Sequence, residues 1–279
     1  MSASAIDAVL PLFVPADRPE RIARALASDA DAVIVDLEDA VAPSAKEAAR
    51  RGLAEVLHEA SGAARLLLRI NARGTIWFDD DLAAAAALPL DGIVLPKAES
   101  RDDIAAVKRP LGRDIPVVAL IETAIGLHAI HDIAAEAGRL AFGSVDFSSD
   151  LGCEHARDAL LFARTQIVLA SRLARLPPPL DGVTLAIKDE GAAEADSGYA
   201  ASLGFGGKLL IHPAQIAPAR RGFAPSESEI AWARRVIAAT GDGSATAVDG
   251  AMIDAPVLAR AHAIEKRFAM ISGDDSRGQ

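Results

Sequence analysis

Short apolar runs alternate with amphipathic or alanine-rich segments along most of the chain. The runs predict strands over 10–14, 32–37, 66–70, 92–95, 117–121, 140–142, 182–186 and 208–211. The segments between them predict helices over 19–28, 44–60, 78–88, 100–108, 126–137, 156–176 and 189–203. Strands that are apolar without interruption are covered on both faces, as in a parallel sheet with crossover helices. Eight βα units predict an α/β fold, a (β/α)₈ TIM barrel. A doubly wound open sheet is the alternative, but no glycine-rich nucleotide fingerprint follows the first strand.

The pattern changes after about residue 222. A helix is predicted over 226–240, with Ser226 as N-cap and Glu229 three residues later as its capping-box partner. A flexible or lid-like stretch follows at 241–246, then a last helix over 255–270 and a disordered end at 272–279. The expected organisation is a barrel over 1–222 and a C-terminal helical extension over 223–279 that caps the barrel or reaches a neighbouring subunit.

Composition narrows this only slightly. The 279 residues are 51% apolar and 24% charged, ordinary for a globular protein, with aromatics at 4%, so the core is expected to be aliphatic. A net charge of −10 argues against nucleic acid and anionic membranes as partners, and an anionic substrate would need local cations. The one cysteine, Cys153, rules out an internal disulfide and fits a reducing compartment. No signal peptide and no apolar run of membrane-spanning length is evident, so the expected location is cytoplasmic.

The chemistry lies in the polar residues that end the strands, because a barrel of this kind carries its active site at their C-terminal ends. Glu122 and Asp146 each close an apolar run on successive strands. A buried carboxylate is costly unless paired, hydrogen-bonded or metal-bound. Two such oxygen donors suit Mg²⁺, or Mn²⁺, which takes one or two carboxylates and fills its other positions with water or substrate. Arg69 can offer its fork to a substrate carboxylate or a developing enolate. Asp36 reads as a structural cap, while Asp39 stays open between capping and substrate binding. Lys97 is a strand-end cation or a Schiff-base lysine, and the metal pair favours the former. His212, before Pro213, reads as a helix-start residue rather than a metal ligand.

Eight segments then occur in a particular order: Phe13-Val14-Pro15-Ala16-Asp17-Arg18, Asp36-Leu37-Glu38-Asp39-Ala40-Val41, Arg69-Ile70-Asn71, Leu95-Pro96-Lys97, Ile121-Glu122-Thr123-Ala124, Gly143-Ser144-Val145-Asp146-Phe147, Gly207-Lys208-Leu209-Leu210-Ile211-His212-Pro213 and Met252-Ile253-Asp254-Ala255-Pro256. Together they resemble the citrate lyase β-subunit-like family, which includes malyl-CoA and citramalyl-CoA lyases. The resemblance implies a barrel with a C-terminal extension, assembled as trimers or hexamers, and Mg²⁺ on Glu122 and Asp146. It implies that Arg69 contacts a keto acid, that Asp254 enters a neighbour's site as acid/base, and that the segment from Lys208 to Pro213, with His212, helps hold the CoA nucleotide. Arg18, Lys97 and Lys208 are candidates to offset phosphate charge. One departure stands out: Gly-Ser-Val-Asp-Phe at 143–147 replaces the commoner Gly-Ala-Glu-Asp-Leu, keeping the ligand while its neighbours change.

The expected activity is Mg²⁺-dependent carbon–carbon cleavage of a 3-hydroxyacyl-CoA to an acyl-CoA and a keto acid. The rivals are an aldolase acting on a free hydroxy-keto acid without CoA, a non-catalytic metabolite-binding barrel, and a subunit that needs an acyl-carrier partner.

Overall fold

The computed structural model describes residues 7–59, 64–240, 247–248 and 251–272. Eight parallel strands follow one another in space in the order of the chain: β1 (Pro11–Pro15), β2 (Ala32–Asp36), β3 (Arg65–Arg69), β4 (Gly92–Leu95), β5 (Val117–Ile121), β6 (Arg139–Phe142), β7 (Leu180–Asp181) and β8 (Gly207–Lys208). A parallel bridge between Leu12 and Leu210 brings the last strand back to the first, so the sheet nearly closes on itself. With helices between the strands, this is a (β/α)₈ barrel.

The strand pattern explains the two layers. On β2, Ala32 and Ile34 belong to the apolar cluster inside the barrel, with Leu67, Val94, Val118, Leu120, Ala141 and Leu180. The alternate residues Val33 and Val35 belong to the larger cluster under the helices. Successive side chains on a strand point to opposite faces, so one apolar run fills both layers. Arg139, fully buried at the start of β6, closes the floor: Nε donates to the Pro178 carbonyl and Nη1 to that of Ala8. Burial lowers its pKa to about 10, which leaves it cationic at neutral pH.

The helices are α1 (Pro19–Leu26), α2 (Lys46–Glu59), α3 (Phe78–Ala86), α4 (Arg101–Leu111), α5 (Ala124–His128), α6 (Ile130–Glu136), α7 (Ser144–Leu151), α8 (Leu161–Leu173), α9 (Glu190–Leu203), α10 (Ile216–Phe223), α11 (Glu227–Ala239) and α12 (Ala255–Ser272). The last two pack on each other around Ala233, Val236, Ala261 and Ile264. The Ser226–Glu229 capping box expected at the start of α11 is present. A short antiparallel pair, β9 (Ala247–Val248) and β10 (Ala251–Met252), precedes α12. No helix among the described residues is long and apolar enough to cross a membrane.

Four expectations need correction. The seventh strand is Leu180–Asp181, not 182–186, because Asp181 is buried in an ion pair rather than marking a turn. The helix expected over 126–137 is two helices, α5 and α6, that meet at Ala129. The helix expected from 156 begins at Leu161. Helices α7 and α10 were not anticipated, since α7 is polar on one face and α10 follows directly on a proline turn. The expected lid-like stretch at 241–246 lies outside the described residues, as does the end expected to be disordered over 272–279, apart from Ser272, which closes α12.

Candidate functional site

Strand register builds one wall of the barrel mouth. Asp36 and Arg69 are the last residues of β2 and β3 and are direct register partners. Nε of Arg69 donates to Oδ1 of Asp36 at 2.7 Å, and Nη2 donates to Oδ2. Asp36 also accepts from the backbone of Glu38 and Ala40, so it shapes the turn as well as fixing the arginine. Two residues on, Glu38 falls on the same side as Asp36 and is buried. Its carboxylate lies between two cations, Arg69 Nη1 at 2.9 Å and Lys97 Nζ. Burial is the main reason its pKa is raised, against the lowering effect of Arg69 and Lys97. The Arg69 guanidinium rests over the Phe13 ring at 4.8 Å. Its charged neighbours Asp36, Glu38 and Glu122 outweigh burial and raise its pKa, so it stays cationic.

The opposite wall carries the two carboxylates. Glu122 directly follows β5 and is buried. Its Oε1 accepts from the Lys97 backbone N–H at 2.8 Å. Lys97 has a left-handed backbone, φ 47°, which a non-glycine residue adopts only at a cost of about 1 kcal/mol or more. That bend aims its N–H at Glu122 and its ammonium at Glu38. Oε2 of Glu122 is buried and makes no hydrogen bond among the described residues. Gly143 lies against it, and a β-carbon there would come within 2.3 Å of that oxygen. Asp146 does not end a strand as expected. It sits in the first turn of α7, where the helix N-terminus favours a negative charge.

Electrostatics link these groups. Burial, with the nearby charges of Glu38 and Asp146, pushes the Glu122 carboxyl up to about 8, although Lys97 and Arg69 pull the other way. A buried acceptor without a partner, next to a second carboxylate, is a poor arrangement for a bare protein and a good one for a cation. No cluster of three or more His, Cys, Asp or Glu suited to a metal occurs among the described residues. Two carboxylates fit Mg²⁺, whose remaining positions go to water or substrate.

The other sequence-predicted residues divide. Arg18 and His212 are exposed at the ends of β1 and β8, neighbouring strands in the barrel. His212 caps a turn through Nδ1, as its position before Pro213 suggested. Asp39 is exposed and 3.8 Å from Arg69 Nη1. Lys208 is not a rim cation. It is almost wholly buried, donates to the Gly182 carbonyl and pairs with Asp181, which also holds Arg164 at 2.9 Å. Asp254 caps α12 by accepting from Val257 N–H at 3.0 Å, and it is exposed. Glu38 was missed as a site residue, although its two-residue offset from Asp36 on a strand end places both on one face. Also missed was a pair on the β6–β7 side, Ser144 Oγ and His155 Nε2, 2.9 Å apart.

Comparison with known proteins places the chain in a family. The family model of HpcH/HpaI aldolase/citrate lyase matches residues 10–213. A citrate lyase subunit beta-like protein of Mycobacterium tuberculosis is 40% identical over 267 residues, covering 92% of this chain and 94% of the relative. Two proteins of Cereibacter sphaeroides are also similar. A (3S)-malyl-CoA thioesterase is 35% identical, covering 94% of this chain and 93% of its own length. An L-malyl-CoA/beta-methylmalyl-CoA lyase is 33% identical, covering 94% of each. Among solved structures, the protein CitE of M. tuberculosis, in complex with magnesium, acetoacetate and coenzyme A, superposes with a TM-score of 0.82 at 36% identity, covering 94% of this chain and 98% of that one. The barrel, the ordered motifs around its mouth and these matches together make the chain a member of the HpcH/HpaI aldolase/citrate lyase family.

Proposed function

We propose that the chain is a Mg²⁺-dependent carbon–carbon lyase that cleaves a 3-hydroxyacyl-CoA of the malyl-, citramalyl- or citryl-CoA type into an acyl-CoA and a keto acid. The observation that carries this reading is the buried Oε2 of Glu122, without a hydrogen-bond partner among the described residues, beside Asp146 in a mouth whose other wall presents Arg69 and Lys97. Glu122 and Asp146 would hold the cation. When bound, it would lower the pKa of the substrate hydroxyl and stabilise the keto acid as it forms.

The chain's own groups do the rest. Arg69, fixed by Asp36, and Lys97, fixed by Glu38, present positive charge to the carboxylate and the developing oxyanion without reorganising. As the hydroxyl proton passes to a water at the mouth, the C–C bond breaks and its electron pair passes to the thioester as an enolate. Asp254, carried by the C-terminal extension over 223–279 of a neighbouring subunit, would donate a proton to the α-carbon. In its own chain Asp254 caps α12 and is exposed, which suits a group delivered to another barrel. Arg18 and His212, exposed on adjacent strand ends, are the groups best placed to meet the CoA.

A homo-oligomer also fits the surface. Phe162, Leu169 and Leu173 form one exposed apolar face of α8, and Ile125 and Leu151 are exposed on α5 and α7. The direct test is calorimetry with Mg²⁺ on Glu122→Ala and Asp146→Ala. Each variant should lose Mg²⁺ binding and keto-acid release together. Retained Mg²⁺ binding in both would remove the basis of the reading.

A further inference from the structure

We propose that Lys46, buried behind the mouth, is a positioning residue for the mouth's two cations: it ties down the backbone of Glu38, whose carboxylate holds Arg69 and Lys97. The proposal takes its reaction from the lyase reading above and adds a residue to that site.

Lys46 is the first residue of α2. Its Nζ reaches back to the exit of β2, donating to the Leu37 carbonyl at 2.7 Å and to the Glu38 carbonyl at 2.6 Å. The ammonium also lies 5.1 Å from the centre of the Trp77 ring, on the segment between β3 and α3. It therefore joins the turn after β2, the start of α2 and the turn after β3. Three ordinary explanations of such a lysine fail. It does not stabilise its helix, because a cation in the first turn opposes the helix dipole. It is not needed to satisfy the two carbonyls. The Leu37 oxygen already accepts from Asn71 Nδ2 at 3.1 Å, and the Glu38 oxygen from the Val41 N–H at 3.2 Å. Nor is it a solvated surface charge. Burial lowers its pKa, against the charges of Asp36, Glu38, Asp81 and Asp39, and ordering so long a side chain costs entropy.

What the lysine does is fix Glu38. That residue lies two positions beyond the end of β2, past the register that pairs β2 with β3. Its N–H donates to Asp36 Oδ1 at 2.8 Å, and its carbonyl accepts from Lys46, so a charged group holds each side of it. The carboxylate then meets Arg69 Nη1 at 2.9 Å and Lys97 Nζ. Arg69 has a second hold in Asp36, so Lys97 depends on Glu38 more than Arg69 does. A misplacement of about 1 Å at groups that meet developing charge costs up to about a hundredfold in rate. Glu122 is held by the Lys97 backbone N–H rather than by the ammonium, so Mg²⁺ binding should not follow Lys46.

The experiment uses the whole chain with Mg²⁺ and whichever of malyl-, citramalyl- or citryl-CoA the wild type cleaves, with folding checked by circular dichroism. Lys46→Met removes the charge and keeps most of the length. It should lower the kcat of keto-acid release about thirtyfold, with Mg²⁺ affinity by calorimetry within about twofold of the wild type. Glu38→Gln should lower kcat at least as much. The double variant should fall no more than about threefold below Glu38→Gln, because both changes act through one carboxylate. A lysine that only steadied α2 would give losses that multiply. Lys46→Gln, too short to reach both carbonyls, takes its place in the cycle if Lys46→Met does not fold. An unchanged kcat in the lysine variant, losses that multiply, or a Mg²⁺ affinity that falls along with kcat overturns the proposal and leaves the lyase reading standing. No keto acid from the wild type with any of the three thioesters overturns the lyase reading instead. The same cycle is then scored on pyruvate binding to the Mg²⁺-loaded chain, where coupled losses support the proposal and independent losses or no binding overturn it.

Discussion

Glu122 is the residue on which the site turns. Its carboxyl is raised to about 8, so the metal-free folded chain holds a proton that the unfolded chain releases at a lower pH. The folded form is then favoured at low pH, and this contribution is lost as pH rises through about 8. A cation on Glu122 must expel that proton, so its binding strengthens over the same range. The stabilisation of the chain by saturating Mg²⁺, measured as the rise in thermal midpoint, should be larger at about pH 8.5 than at about pH 6. Glu122→Gln should erase the difference. An equal rise at both pH values in the wild type would mean that Glu122 is not the ligand. This residue was legible in the sequence because a carboxylate at the end of an apolar run is a physical anomaly. Glu38 and Lys208 were harder. Glu38 closes no apolar run, and only the register of β2 puts it beside Lys97, while Lys208 resembled a rim cation until β8 put it under the helices beside Asp181.

At the scale of elements, the site depends on close approaches between strand ends. Gly143 makes one of them, since a β-carbon there meets Oε2 and Cβ of Glu122 at 2.3 and 2.4 Å. Gly143→Ala should leave the barrel folded but weaken Mg²⁺ affinity by at least about tenfold, by pushing Glu122 off its place. Circular dichroism and calorimetry together check this; an unchanged affinity would show that Glu122 does not need the approach. The eight strands were legible from continuous apolar runs, because a sheet covered on both faces needs them. The short seventh strand was not, because its last residue is an aspartate satisfied by an arginine and a lysine from other elements. Helix α7, which carries Asp146, was hidden because its eight residues, Ser-Val-Asp-Phe-Ser-Ser-Asp-Leu, bury two serines beside Phe147 and so show no continuous apolar stripe.

Across the whole molecule, the barrel supplies the cation and carboxylate walls, while Asp254 sits on a separate helical pair packed around its own small core. If Asp254 serves a neighbour, Asp254→Ala chains are inactive but keep an intact metal site, and Glu122→Ala chains are inactive but keep the acid. Mixing and reassembling the two should restore about a quarter of wild-type turnover per barrel when they assort at random in equal amounts. No recovery after verified subunit exchange would place Asp254 in its own barrel or outside the reaction. The barrel class was legible at this scale from the count and spacing of βα units. The reach proposed for Asp254 rests on the family resemblance alone, because no local pattern encodes a contact between chains. The central claim, that this family member breaks a carbon–carbon bond in a CoA thioester, has one direct measurement: purified chain, Mg²⁺ and separate incubations with malyl-, citramalyl- and citryl-CoA, scored for keto acid. At least one thioester should yield keto acid and acyl-CoA in equal amounts, dependent on Mg²⁺ and absent with Glu122→Ala. Cleavage of free hydroxy-keto acids alone, or keto acid from none of the three thioesters, would contradict it.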